Sequence, residues 1–317
     1  MDNMNKRLII QLSIIILCTL LIIIALLLPV LFEFIWNDNL RNLLPGTAYF
    51  FRYITEFGGT MIYLGIFFTI YWGINKSLGK KLFSIFVANN FVNFYAKAII
   101  AKERPPESNW ILIGGSHLST PSGHAMSSSV IWGYLAIKFE RIIMWFVSIT
   151  IIVLIGLSRI YLGVHWFGDV LIGWLFGIII LDFVWIFEES LDRFVSKHNK
   201  TIIYIGLIVI GTVVMILTEI FYTSSYNFGT PGGQMIGLGL GLALEEKFVN
   251  FEINQKPNEK WRIIFRILIG ILLFTVIYSI IYLLIDTSVF WQNALLYIVS
   301  LVLGLFLWPL IFKRINL

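Results

Sequence analysis

Apolar residues in this chain come in long unbroken runs, not in the one-sided stripes of a soluble surface helix or the alternation of a half-buried strand. The first run covers positions 8–32, and about 20 apolar residues suffice to cross a bilayer as a helix. Further runs fall at 58–75, 82–101, 123–139, 142–158, 165–187, 201–219, 232–248, 263–285 and 290–311, giving about ten expected spans. The segment at 232–248 is short and glycine-rich. The first run is too long for a signal-peptide core and no small-residue cleavage site follows it, so it is expected to stay as an anchor. Only helices or closed barrels satisfy their backbone groups in lipid. The runs lack the period-2 alternation of barrel strands, so the expected fold is an all-α integral membrane protein. Gly173 and Gly177, and Gly233, Gly237 and Gly241, recur every four residues, a spacing that lets helix backbones approach closely.

Composition excludes the soluble alternatives. The chain is 58% hydrophobic and only 13% charged, against about 25% charged residues in a soluble domain, and a fold of this size cannot hide so much apolar surface from water. The net charge of +5 comes from basic residues scattered singly between apolar runs, so no nucleic-acid partner is expected. Cys18 is the single cysteine, which leaves no internal disulfide and no cysteine-based metal site.

Basic residues bias loops to the cytoplasmic side. With both termini inside, seventeen of the 23 basic residues fall on that side, the exceptions being Arg41, Arg52, Lys97, Lys102, Arg104 and Arg159. Several of these exceptions cluster with other polar groups. The stretch from Lys97 to Arg104 and Pro105 ends the third span; Pro121, Ser122, Gly123 and His124 open the fourth; Ser158, Arg159, His165 and Asp169 join the fifth to the sixth. Alternating topology puts all three segments at the external face, and charge at that depth marks function. Three cations suit a group with several negative oxygens. Amides around Ser122 and Gly123 at a helix start would add an anion cradle. His165 and Asp169, spaced i,i+4, are expected on one helix face, with the carboxylate fixing the imidazole tautomer for nucleophilic attack. His124, from another helix, could protonate a leaving oxygen. With so many cations and so few carboxylates, neither metal nor other cofactor is expected.

These segments resemble the type 2 phosphatidic acid phosphatase superfamily, whose pattern Lys-x6-Arg-Pro, Pro-Ser-Gly-His and Ser-Arg-x5-His-x3-Asp is met at every defined position. The resemblance implies a six-helix core over 1–187 and a metal-independent phosphatase working through a phosphohistidine. It implies His165 as nucleophile, Asp169 as its orienting group and His124 as proton donor, with Lys97, Arg104, Ser122, Gly123 and Arg159 holding the phosphoryl oxygens. The implied partner is a membrane lipid phosphate in the bilayer of a cytoplasmic membrane. Both a polyprenyl pyrophosphate and a glycerolipid phosphate such as phosphatidate or phosphatidylglycerophosphate fit, and analogy for an external site leans to the isoprenoid. Residues 188–317 add four apolar segments without a comparable polar cluster, a transmembrane extension assigned to packing, substrate shaping or a homo-oligomer contact.

The competing readings are a vanadate-dependent haloperoxidase of the same superfamily, a lipid phosphotransferase, and a non-catalytic lipid-binding or transport protein with a degenerate site. The multi-span build opposes the first, and the intact polar set opposes the last. Asn89 and Asn93 share a face with Lys97 and fit cavity lining and interhelical bonding equally well. His117 and His198 read as loop histidines, and Trp110, Trp166 and Phe167 as an interfacial belt.

Overall fold

The computed structural model describes residues 2–111, 118–221, 229–253 and 260–315, and these are overwhelmingly helical. In chain order the helices are α1 (Asp2–Leu27), α2 (Ile35–Leu43), α3 (Ala48–Glu56), α4 (Thr60–Gly73), α5 (Lys76–Ile100), α6 (Gly123–Phe139) and α7 (Ile142–Tyr161). They continue as α8 (Phe167–Lys197), α9 (Lys200–Phe221), α10 (Gly229–Phe248), α11 (Lys260–Leu284), α12 (Phe290–Val302) and α13 (Trp308–Arg314). Among the described residues extended pairing is limited to an isolated bridge between Glu103 and Leu118.

Each of the ten expected segments is helical, but among the described residues seven helices are long and apolar enough to cross a membrane alone, or eight if α3 and α4, bent by 45°, count as one broken span. The two that fall short have visible causes: α6 has only 17 residues, and α10 carries five polar or charged side chains and six glycines within 20 residues. Two further differences concern length. The segment expected to stop at 187 continues as helix to Lys197, so His198 lies at a helix end with Nδ1 2.8 Å from the Phe194 carbonyl. The stretch 33–57, which no long run marks, forms the short helices α2 and α3.

The chain packs as two compact units, Met1–Tyr63 with Ala88–Ser190, and Leu64–Val87 with Leu191–Leu317. In the first, Cys18, Ile22 and Ala25 of α1 pack on Ile172 and Leu175 of α8. Ala125, Ile160 and Val170 bring α6, α7 and α8 together. The α6–α8 approach depends on glycine: a Cβ at Gly173 would stand 2.8 Å from the Ser122 carbonyl, and one at Gly177 2.5 Å from Ser129 Cβ. The inner faces of α2 and α3 close over α7, with Phe51 stacked on Tyr161 at 4.5 Å, while Leu43, Tyr49 and Tyr53 face outward.

In the second unit Phe68 stacks on Trp72 at 4.8 Å and meets Phe274 at 4.9 Å, and Trp72 meets Phe312 edge-on. The Trp72 indole donates to the Gly304 carbonyl, and Arg266 donates to the Trp72 carbonyl. Gly233, Gly237 and Gly241 lie against Ala294, Ile298 and Leu305, so this stripe seats α10 on α12 and the turn after it. The expected boundary at 187/188 thus stands beside an observed one at 190/191, and Leu64–Val87 joins the C-terminal unit through its aromatic face.

Candidate active site

All eight site residues expected from the sequence belong to the first unit. Asp169 is the hub. It lies in the first turn of α8, fully buried, and Oδ2 accepts the backbone N–H of Trp166 at 2.8 Å. A carboxylate three positions into a helix, reaching back to the residue before it, is half of a capping box and suits the positive end of the helix dipole. Oδ1 accepts the hydroxyls of Thr120 at 2.5 Å and Ser119 at 3.1 Å. So held, Oδ2 meets His165 Nδ1 at 3.1 Å. His165 itself precedes α8, so the pair does not share a helix face as its spacing predicts; the cap geometry brings the two together instead.

The turn carrying His165 is fixed from outside. Gly163 adopts φ +77°, where a Cβ would strike the Asn109 carbonyl at 2.3 Å, so only glycine fits. Asn37 of α2 donates from Nδ2 to the carbonyls of Ile160 and His165 at 2.6 and 3.1 Å, and Arg41 bonds the carbonyls of Tyr161 and Asn109. On the far side of the imidazole, Arg104 Nη1 lies 3.1 Å from Nε2 and 2.6 Å from the Val164 carbonyl. A guanidinium N–H can only donate, so Nε2 carries the lone pair and the ring proton sits on Nδ1, facing Asp169. That is the tautomer a nucleophile needs. Burial first, then the positive charges of Arg104, Lys97 and Arg159, hold His165 well below its ordinary pKa, so the ring is neutral at neutral pH.

The other cations are tethered nearby. Lys97 Nζ donates to the carbonyls of Leu118 and Ser119 at 3.1 and 2.7 Å. Arg159, 5% exposed, donates from Nη1 to Thr55 Oγ1 of α3 at 2.7 Å, while its Nε is buried without a hydrogen-bond partner. Burial also lowers Arg104, to about 10, which leaves it charged at neutral pH. Ser122 caps α6, but its amide donates to the Asp169 carbonyl at 2.9 Å, so this one amide of the expected cradle is already engaged. Its hydroxyl is buried and unpartnered, and the first-turn amides after it have no intrahelical acceptor. His124 lies within electrostatic reach of His165 and the three cations. Its ring packs over Gly58, where a Cβ would come within 3.0 Å of Cδ2.

Residues 78–193 match the PAP2 superfamily, and residues 229–317 match the PAP2 superfamily phosphatase transmembrane extension. This chain carries a PAP2 superfamily domain. The PAP2 chain is 31% identical to sphingosine-1-phosphate phosphatase 1 of Rattus norvegicus over 213 residues, covering 62% of this chain and 47% of that protein. It is 30% identical to phosphatidylglycerophosphatase B of Bacillus subtilis, covering 38% and 62%, and 44% identical to an undecaprenyl-diphosphatase of Sulfolobus acidocaldarius, covering 19% and 28%. It spans about half the length of the sphingosine-1-phosphate phosphatase 1 proteins it matches. The crystal structure of a transmembrane PAP2 type phosphatidylglycerolphosphate phosphatase from Bacillus subtilis aligns with TM-score 0.47 at 22% identity, covering 57% of this chain and 98% of that one.

Around the PAP2 motifs stand residues that motif reading misses: Asn37, Thr55, Ser119 and Thr120. Thr55 and Asn37 come from the short amphipathic helices, and their only sequence signal is a polar side chain on the otherwise apolar inner face. Ser119 and Thr120 are a hydroxyl pair just ahead of the second motif. Asn89 bonds Ser127 at 2.8 Å and Asn93 bonds the Pro121 carbonyl at 3.2 Å, so both asparagines join α5 to α6 and its approach. Trp110 and Trp166 donate to the carbonyls of Pro105 and Glu103, and Phe167 stacks on Trp36. His117 lies outside the described residues.

Proposed function

We propose that this protein is a membrane lipid phosphatase that hydrolyses the phosphomonoester or pyrophosphate of an amphiphile through a phosphohistidine at His165. The observation that carries the reading is the two-sided clamp on the imidazole: Asp169 Oδ2 3.1 Å from Nδ1 and Arg104 Nη1 3.1 Å from Nε2. The clamp leaves a neutral ring with its lone pair directed at a cationic site. A phosphoryl group entering there would take the guanidinium donors for its oxygens and expose its phosphorus to Nε2. Lys97, Arg104 and Arg159, with the Ser122 hydroxyl and the Gly123 end of α6, neutralise the equatorial oxygens, where phosphoryl transfer concentrates charge.

The steps follow from the groups present. The Nε2–P bond forms as the P–O bond to the lipid breaks, and protonated His124, favoured by the bound anion, gives its proton to the leaving oxygen. Neutral His124 then takes a proton from water as that water attacks phosphorus, the N–P bond breaks, and inorganic phosphate departs. Asp169 stabilises the imidazole as its positive charge develops. Three cations around a single carboxylate repel a divalent ion, which supports a metal-free mechanism. The relatives named above act, by their names, on sphingosine phosphate, phosphatidylglycerophosphate and undecaprenyl diphosphate, each a phosphate on an apolar body. A substrate entering sideways from the bilayer, tail in lipid and head at the external face of a cytoplasmic membrane, fits this chemistry.

The test is phosphate release by the purified chain from phosphatidate, phosphatidylglycerophosphate, sphingosine phosphate and polyprenyl pyrophosphate, with and without EDTA. Release from at least one lipid, undiminished by EDTA and lost in folded His165→Ala, is the expected result. Full activity of that variant, or loss in EDTA restored by a divalent ion, would overturn the mechanism.

A further inference from the structure

Asn89, Asn93 and Lys97 stand four residues apart towards the end of α5 and so share one face. In the fold that face is a ladder tied to the stretch 118–127, which carries Ser122, Gly123 and His124. Lys97 Nζ holds the carbonyls of Leu118 and Ser119, Asn93 Nδ2 donates to the Pro121 carbonyl at 3.2 Å, and Asn89 Nδ2 donates to Ser127 Oγ at 2.8 Å.

The middle rung differs from its neighbours in what it touches. Asn93 brackets the start of α6: besides the Pro121 carbonyl, Nδ2 lies 3.4 Å from Met126 Sδ in the first turn. Oδ1 lies against Gly123, where an added Cβ would stand 3.2 Å from it. The turn at Pro121 needs holding by other groups, because proline has no N–H and the Ser122 amide is engaged by the Asp169 carbonyl at 2.9 Å. Two helices therefore restrain the cradle, α8 through Asp169 and α5 through Asn93. Between them they fix where the Ser122 hydroxyl and the amides after it point. A carboxamide suits the second restraint, since it donates to a carbonyl without placing a negative charge beside the phosphoryl oxygens.

We infer that Asn93 is a positioning residue for phosphoryl transfer, setting the Ser122–Gly123 cradle by fixing the Pro121 carbonyl and the approach to Gly123. The inference rests on the phosphatase reading of the His165 site and adds to it a residue outside the motifs. Asn93 touches no reacting atom. Asn89, one turn away on the same face, ties α5 to α6 beyond the cradle and so serves as its control.

The experiment measures binding of orthovanadate, which mimics the transferring phosphoryl group, to the purified full chain in detergent by titration calorimetry. Melting temperature and lipid phosphate release are followed in parallel. Asn93→Leu keeps the bulk and removes the donor. It is expected to bind orthovanadate about tenfold more weakly and to lose a similar factor in kcat/KM, chiefly in kcat. Asn89→Leu is expected to shift the melting temperature while keeping wild-type orthovanadate affinity and kcat. Asn93→Ala carries the test if Asn93→Leu fails to fold. Wild-type orthovanadate affinity and kcat in the Asn93 variant would overturn the inference, and equal weakening in the Asn93 and Asn89 variants would overturn it in favour of packing. A wild-type chain that neither binds orthovanadate nor releases phosphate would instead overturn the phosphatase reading, and the inference with it.

Discussion

At the scale of single residues, the chemistry is concentrated in few contacts, and each contact makes a distinct prediction. Thr55 touches no reacting atom in the proposed mechanism, yet its hydroxyl accepts the Arg159 Nη1 donor inside a buried pocket. A hydrogen bond to a charged group contributes about 1.5–3 kcal/mol. Thr55→Val keeps shape and removes the acceptor, so it is expected to lower kcat/KM by about tenfold or more, with Thr55→Ser restoring most of it. A melting-temperature loss without a kinetic effect would make Thr55 merely structural. Arg104→Ala removes a donor at His165 Nε2, the proposed attacking nitrogen, and is expected to cost on the order of 2–4 kcal/mol of transition-state stabilisation. The imidazole makes a pH prediction. In the proposed mechanism only neutral Nε2 attacks, and burial with neighbouring cations holds His165 well below its ordinary value. Protonation, and with it loss of the nucleophile, therefore sets in only at pH below the usual imidazole range near 6.5. The acidic limb of kcat/KM, corrected for substrate ionisation, should lie below the ordinary imidazole value near 6.5; a limb at or above it would contradict a depressed imidazole. The motif residues were legible because the chemistry dictates their type and spacing. Thr55, Asn37 and Thr120 were not, because each acts on a motif atom across the fold, and no local pattern records which distant helix will supply a hydrogen bond.

At the scale of helices, lipid makes length and apolarity legible and hides everything that depends on packing. The ten runs all became helices, since backbone groups in hydrocarbon have no other partner. Their number as independent spans did not follow, because α6 and α10 give up apolar length for function and packing: α6 carries the Ser122–His124 end, and α10 its glycine stripe. The helices α2 and α3 escaped notice because nine residues are too few for a run to register, although they supply Asn37, Arg41 and Thr55. Glycine spacing proved informative for a physical reason, since its absent Cβ is what permits contact. Gly177 faces Ser129 so closely that an added Cβ would lie 2.5 Å from it. Gly177→Val must push α8 from α6, with an overpacking cost of about 1–3 kcal/mol. The expected readouts are a lower melting temperature and a loss of activity, since Asp169 rides on α8 and Ser122 on α6. Unchanged stability would mean that the two helices do not approach as closely as described.

At the scale of the molecule, the chain order and the packing order differ, and the difference decides what truncation does. The sequence reading is a six-helix core over 1–187 followed by an extension assigned to packing, substrate shaping or a homo-oligomer contact, since every motif precedes residue 170. The packing gives the extension a definite partner within the chain. Leu64–Val87 lies between the two segments of the first unit in sequence but packs with Leu191–Leu317. Phe68 and Trp72 bury themselves on Phe274 and Phe312, and two polar ties close the same contact, Trp72 to the Gly304 carbonyl and Arg266 to the Trp72 carbonyl. Removing residues 191–317 would strip these partners and leave the second half of α4 and the first half of α5 with an aromatic face and a partly buried Lys76 lacking Glu245. Buried aromatic side chains contribute about 3–5 kcal/mol each when truncated, and several are lost together. A chain ending at residue 190 is therefore expected to aggregate or to extract poorly in mild detergent, and to release no phosphate even though it retains every motif. Co-expression of 191–317 as a separate chain should restore both extraction and activity, because the lost contacts are noncovalent. A truncated chain that purifies as a monodisperse, active enzyme would show that α4 and α5 hold their positions without the extension.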